Sequence, residues 1–376
     1  MGLECCKPNY PIEDESDEKE VVRFFMVGMG GAGKSTVIRQ LMKLCIDCPN
    51  SYKLYDSEWV EKTSIHSEGD LRKWKIVIQH NILEAFCNTI KQSKLFGFEF
   101  NGLQSLVVSE VEKLCGDVRT LHLRTAEWSP FFNEELGRKL ITLISNEKDP
   151  IKCALKRCHE FAAEYRLPDG VDHFITPQKI MEYARADTLP DEDDIVHARN
   201  PTSGLDYYHF LVHKMRIQIH DMGGQMVERK KVLEYLSHWI SDSKPNHRNF
   251  ILYVVSIADY NVIHPSRRQY TLLDESIAFM KMILNLSQVQ ECGFLIFFNK
   301  SDIFDEKVSD EHFRPDFRTF LKEFIKEDEL KKYERGAPVK SEVFRKAIAN
   351  KFAKEISNNA VKRKAPVYHR YVYLCC

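Results

Sequence analysis

The sequence predicts an α/β fold whose largely parallel sheet is opened, after its first helix, by an inserted all-helical domain. Apolar runs such as VVRFFMV at 21–27, NFILYVVSIAD at 249–259 and GFLIFFNKSD at 293–302 alternate with helical stretches, the pattern of a two-sided parallel sheet. Between about 55 and 190 the texture is helical instead. There LRKWKIVIQHNILEAFCNTI, SEVEKLCGDVRTLH and FNEELGRKLITLISN carry apolar residues at helical spacing. The third observation is length: 376 residues suffice for two cores.

In chain order, residues 1–20 are polar and acidic, with Pro8 and Pro11, and read as an extended tail. A strand, a glycine-rich bend and a helix form the first part of the α/β domain, 21–58. The helical insertion takes 59–190, and the second part of the α/β domain 191–376. That part starts with the strand-rich DYYHFLVHKMRIQIHD, followed by the strands at 249 and 293. Two helical stripes follow: Phe317, Phe320, Leu321, Phe324 and Ile325, then Val343, Phe344, Ala347, Ile348 and Phe352.

The net charge is -1, so no basic excess points to nucleic acid. No apolar run reaches the length of a membrane span, and MGLECCKPNY has no signal-peptide core. The 11 cysteines show no repeated pair spacing. Cys45 and Cys48 form a C-x-x-C, but no second pair completes a zinc set, so reduced thiols are expected.

Three motifs carry chemistry. The first is GMGGAGKST, comprising Gly28, Met29, Gly30, Gly31, Ala32, Gly33, Lys34, Ser35 and Thr36. Glycines let successive backbone N–H groups face one anion, the helix adds its N-terminal dipole, and Lys34 adds charge. Ser35 presents a hydroxyl to a Mg2+ bridging the last two phosphates. The second is DMGGQ at 221–225, where Asp221 can hold the magnesium water shell and Gly224 lets an N–H approach a γ-phosphate. The third is NKSD at 299–302. The Asp302 carboxylate can accept from both N1–H and the 2-amino group of guanine, whereas adenine would leave it unpaired.

In this order, with a helical insertion between the first and second, these motifs resemble those of the α subunits of heterotrimeric G proteins. The likeness runs from about residue 20 to 374. It implies a Ras-like P-loop GTPase domain with an inserted all-helical domain, GTP/GDP and Mg2+ as ligands, and GTP hydrolysis. DDIVHARNPTSG at 193–204 resembles the linker into switch I. The likeness therefore places Val196, His197, Ala198, Arg199, Asn200, Pro201 and Thr202 on the nucleotide, with Arg199 as the catalytic arginine and Thr202 as a magnesium ligand beside Ser35. DMGGQMVERKK resembles switch II, placing Asp221, Met222, Gly223, Gly224 and Gln225 there, with Gln225 orienting the attacking water. Gly170, in LPDG, matches the helical-domain loop over the nucleotide; Asn299, Lys300, Ser301 and Asp302 match the base-binding loop, and Leu374 the last base contact.

The departures are specific. Gly31 and Ala32 stand where the family usually has Glu and Ser, Met226 where it has Arg, and Asn200-Pro201 is unusual in switch I. They imply altered exchange or hydrolysis. The short tail stands against the family's βγ partner. The end at APVYHRYVYLCC stands against the receptor-binding C-terminal helix, and exposed apolar strand surface is expected where that helix would lie. Gly2 as a myristate acceptor, with Cys5 and Cys6 as palmitoylation sites, implies membrane attachment at the cytoplasmic face of the plasma membrane. The first functional reading is thus a membrane-anchored GTPase switch. The second is a guanine nucleotide-binding module with weak hydrolysis and no receptor coupling. NKSD disfavours a third, an ATP-dependent P-loop kinase.

Overall fold

The computed structural model describes residues 19–120, 131–161, 164–168, 170–264, 266–359 and 365–371. Gly2, Cys5, Cys6 and Leu374 lie outside them.

Among the described residues nine strands occur: β1 Val21–Gly28, β2 Tyr52–Tyr55, β3 Leu205–Val212, β4 Met215–Met222, β5 His247–Ser256, β6 Ile263–His264, β7 Arg267–Thr271, β8 Gly293–Asn299 and β9 Val367–Tyr371. Seven of them make one sheet in the order β2-β3-β4-β1-β5-β8-β9, and β6 with β7 forms a small ribbon. From β4 to β9 neighbours are parallel, and β2 and β3 form an antiparallel edge. The carboxyl ends of β1, β4, β5 and β8 therefore open on one rim. Met26 pairs with Asp221, Gly28 with Val254, and Ser256 with Asn299.

The helices are α1 Lys34–Asp47, α2 Glu68–Leu95, α3 Leu103–Thr120, α4 Glu134–Thr142, α5 Pro150–Leu155, α6 Pro177–Ala184, α7 Glu192–His197, α8 Met226–Arg229, α9 Val232–Ser241, α10 Leu272–Leu284, α11 Ser301–Ser309, α12 Arg314–Leu321, α13 Glu327–Glu334 and α14 Ser341–Asn359. Strand alternation sends Phe25, Val27, Tyr253, Phe294 and Phe298 into one core with α9, α10, α11, α12 and α14. Met26, Leu252, Val254 and Ile219 face α1 on the other side. A separate core joins Ile78, Ile82, Phe86 and Ile90 of α2 to Val107 and Val111 of α3 and Leu136 and Leu140 of α4. The 78–82–86–90 spacing is one helical face, and the Ser67–Asp70 capping box starts that helix.

Three details differ from expectation. β2 intervenes between α1 and the helical segment; four residues pairing at a sheet edge give too short an alternation to read. The stripe from Phe317 does not stay α-helical: α12 stops at Leu321, Lys322–Phe324 form a 3-10 turn, and Ile325 is extended. Its aromatics still reach the core, because Phe317 and Leu321 are buried and Phe320 and Phe324 pack against them. The exposure expected on the α1 face of the sheet edge is met only in part: Leu295 and Phe297 of β8 are half-buried, whereas Tyr368 of β9, the register partner of Leu295, is exposed. Cys45 is buried in α1, where burial pushes its thiol up to about 11, while Cys48 is exposed at the helix end.

Candidate functional site

The rim of the parallel strands collects the predicted residues. β1 ends at Gly28, and the chain bends through 29–33 into α1. Gly33, at φ 93°, caps that helix in the left-handed region, and a Cβ there would strike the Asn299 amide. Asn299 Nδ2 donates to the Ala32 carbonyl at 2.8 Å, which ties the base-side loop to the glycine loop.

Lys34 is buried, and its ammonium donates to the Gly28 and Met29 carbonyls at 3.0 and 3.1 Å. Burial lowers its pKa to about 8; Asp221 opposes that shift, while Arg199 and Arg229 add to it. Gly224 sits against this ammonium, because a Cβ there would meet Lys34 Nζ, the Met29 carbonyl and the Gly30 N–H. A backbone N–H, an ammonium and the glycine loop thus crowd one small volume.

Beside it, Ser35 Oγ lies 2.7 Å from Thr202 Oγ1 and donates to Asp221 Oδ2 at 2.9 Å. Thr202 Oγ1 is 3.4 Å from the same oxygen. Burial raises the Asp221 pKa, opposed by the charge of Lys34 and the bond from Ser35. Asp221 Oδ1 is buried without a hydrogen-bond partner. Two hydroxyls and a buried carboxylate with an unsatisfied oxygen are hard donors, and they fit Mg2+.

Arg199 and Gln225 approach the loop from opposite chain segments. A Cβ built on Gly31 would lie 3.8 Å from Arg199 Nη2, and one on Gly30 would lie 3.2 Å from Gln225 Nε2. Gln225 occupies the N-cap position of α8. Gly31 therefore faces the Arg199 guanidinium.

Other predicted residues contribute backbone or lie alongside. Met222 is a fully buried core side chain, and Gly223 donates its N–H to the Gly204 carbonyl at 3.0 Å. Val196 and Ala198 are buried, Asn200 and Pro201 half-buried, and Thr36 lies in the first turn of α1. Gly170 packs on His197, whose carbonyl would be 3.3 Å from a Cβ. Lys300 takes a left-handed backbone at φ 61°, Ser301 donates to the Phe298 carbonyl, and Asp302 Oδ1 is buried without a partner. That oxygen at the strand rim is what a guanine edge would satisfy.

These contacts also reveal residues that motif reading missed. Asn81, on α2, accepts from the Arg199 N–H at 2.6 Å and donates to its carbonyl at 3.0 Å. Arg39 donates to the Ile195 carbonyl at 3.3 Å and also to that of Ala198. The available signal was a polar residue beside the apolar stripe of α2, and only the fold shows that Asn81 is buried there. Arg166 pairs with the half-buried Asp259 at 2.8 Å, a second bridge from the helical segment to the strand rim.

Comparison with known proteins agrees with this geometry. The model of the family described as G-protein alpha subunit matches residues 8–375. This chain belongs to the G-protein alpha subunit family. The rat guanine nucleotide-binding protein subunit alpha-15 (Rattus norvegicus) is 22% identical over 314 residues, covering 82% of this chain and 71% of that protein. The alpha-1 subunit of Caenorhabditis elegans is 25% identical over 307 residues, covering 80% and 74%. The alpha-4 subunit of Caenorhabditis briggsae is 23% identical over 287 residues, covering 76% and 69%. The resemblance read from the motifs is thus upheld, together with the Ras-like fold and helical domain that it implied. G-protein alpha subunits are GTPases.

Proposed function

We propose that this alpha subunit is a signalling switch that binds GTP with Mg2+ and hydrolyses it to GDP through the residues gathered at the strand rim. One observation carries the reading: Ser35, Thr202 and Asp221 converge beside Lys34, while Arg199 and Gln225 both reach the glycine loop. The N–H groups of 30–36 and the Lys34 ammonium hold the phosphates, and Asp302 takes the guanine edge. Ser35 and Thr202 would hold Mg2+, which would supply positive charge beside the terminal phosphates. Phosphoryl transfer spreads charge over oxygens, so positioned cations stabilise it. Arg199 neutralises that charge, and Gln225 accepts from the attacking water while donating to the γ-phosphate. G-protein alpha subunits are the known case of such an arginine supplied from the same chain, and Arg199 fits that role here.

Single-turnover phosphate release from preloaded GTP tests the assignment. Arg199→Cys and Gln225→Leu are each expected to slow it at least roughly tenfold. Wild-type release as slow as either variant would favour the second reading, a binding module with weak hydrolysis. That reading draws on Met226, which stands where the family usually has Arg after the glutamine. The lipid anchor at Gly2, Cys5 and Cys6 belongs to the same proposal, and so does location at the cytoplasmic face of the plasma membrane. Gly2→Ala should move the protein from membrane to soluble fractions, and a wholly soluble wild type would refute the anchor. Coupling to βγ and to a receptor is typical of the family.

A further inference from the structure

The segment leading into Arg199 carries a cluster that the phosphate chemistry does not use. α7 sets Asp193 and His197 one turn apart on one helical face. A 3-10 helix, Val171–Phe174, brings His173 against them, with the two imidazoles parallel to within 10° and their centroids 4.1 Å apart. His173 Nε2 donates to the buried Asp194 carboxylate at 2.7 Å, and His197 Nδ1 donates to the Asp193 backbone carbonyl at 2.8 Å. Those acceptors fix both tautomers, leaving a lone pair on His173 Nδ1 and another on His197 Nε2. A histidine whose second nitrogen is held by a carboxylate or a backbone carbonyl has the outer-shell support typical of a metal ligand. Lys179 holds the same Asp194 at 2.8 Å, so this support is anchored in α6. One ligand atom each from His173, Asp193 and His197 lies within 4.8 Å of the others.

We infer that His173, Asp193 and His197 form a binding site for one divalent transition cation of the zinc class, with water as the fourth ligand. Two nitrogens and a carboxylate oxygen suit Zn2+, and three protein ligands plus water is an ordinary zinc set. The hard-oxygen group of Ser35, Thr202 and Asp221 suits Mg2+ instead, so the two sites select different ions. Binding requires a local rearrangement, because bonds of about 2.0–2.1 Å bring ligand atoms closer than they now stand, and the two parallel rings must rotate out of their stack for their in-plane lone pairs to converge on the ion. Asp193 also pairs with Lys43 at 2.7 Å, but both side chains are partly exposed, and such a pair yields readily. His197 lies two residues before Arg199, and His173 neighbours Phe174 in the helical core. A bound cation would therefore tie the loop over the nucleotide to the linker into switch I. This kinetic consequence rests on the proposed GTPase reading; the site itself does not.

The test uses the full chain with GDP and excess Mg2+, titrated with Zn2+ against a chromophoric chelator. One Zn2+ per chain is expected, with affinity lowered at least ~10-fold in His173→Gln, His197→Gln and Asp193→Asn. Asp193→Asn changes an exposed side chain and guards against a folding artefact. Co2+ should give visible d–d bands without a thiolate charge-transfer band. Zn2+ should slow GDP release in the wild type and not in the variants. Unchanged zinc affinity in all three variants, or a thiolate-dominated cobalt spectrum, would overturn the site. Zinc bound at these residues in a chain that binds no nucleotide would uphold the site and reject the GTPase reading.

Discussion

The strand rim and the helical domain serve one site by different means. The rim supplies the groups proposed to meet the ligand directly: Lys34, Ser35, Asp221, Gln225 and Asp302 stand at or just beyond the ends of β1, β4 and β8. The helical domain supplies positioning. Asn81 grips the backbone of Arg199, Arg166 reaches Asp259, and Gly170 packs on His197. Parallel strands end together, so a few short motifs concentrate charge and N–H groups on one rim. A helical bundle has no such rim and acts on the site only through side chains that reach across. Loss of a rim group should therefore abolish binding or specificity, and loss of a helical group should change rates.

The largest effect is expected at the phosphate end. Lys34→Ala should weaken GTP binding by on the order of 100-fold, since it removes a charge-assisted bond worth up to about 3 kcal/mol. Asp221→Ala should abolish the dependence of binding on Mg2+. Calorimetry or fluorescent-nucleotide titration reads both, and near-wild-type affinity in Lys34→Ala would dissolve the contrast between the two halves. Next comes the base. Asp302→Ala should erase the preference for GTP over ATP in competition, because the carboxylate that rejects adenine is gone. Equal displacement by ATP in the wild type would end the guanine assignment.

A smaller change should follow Asn81→Ala. It deletes both bonds to the Arg199 backbone, so single-turnover hydrolysis should slow several-fold while GDP affinity stays the same. A Gln225→Leu background should mask part of this loss, because both act on the same step. Lost GDP binding in Asn81→Ala would show instead that the helical domain holds the ligand directly.

The smallest effect is a pH slope. Burial lowers the Lys34 pKa to about 8, and a phosphate would raise it by favouring the charged form. Binding then takes up a proton, so affinity is full below that value and falls as the pH rises through it. For stability the sign is opposite. The unfolded lysine holds its proton above the folded pKa, so the contribution of this group to stability grows as the pH rises from about 8 to its ordinary value near 10.5. Lys34→Arg should flatten the affinity slope, because arginine keeps its proton. A slope that survives this substitution would assign the titration to another group.

By itself the sequence determined the parts of this protein that depend on neighbours along the chain. GMGGAGKST, DMGGQ and NKSD were legible because each is contiguous and each follows an apolar run, so strand, bend and chemistry come in one short reading. The helical texture of α2 to α4 was legible for the same reason: amphipathic periodicity is local. Tertiary structure decided the rest. The grip of Asn81 on Arg199 spans 118 positions, and that of Ser35 on Thr202 spans 167. No periodicity predicts which side chains meet across such separations. β2 needed its pairing with β3 to be a strand, and the aromatic stripe after Phe317 needed a packed core to tolerate the end of its helix at Leu321. Local propensity fixes what a segment can become, whereas burial against distant partners fixes which groups are left facing the ligand, since only the folded rim brings them within hydrogen-bond reach.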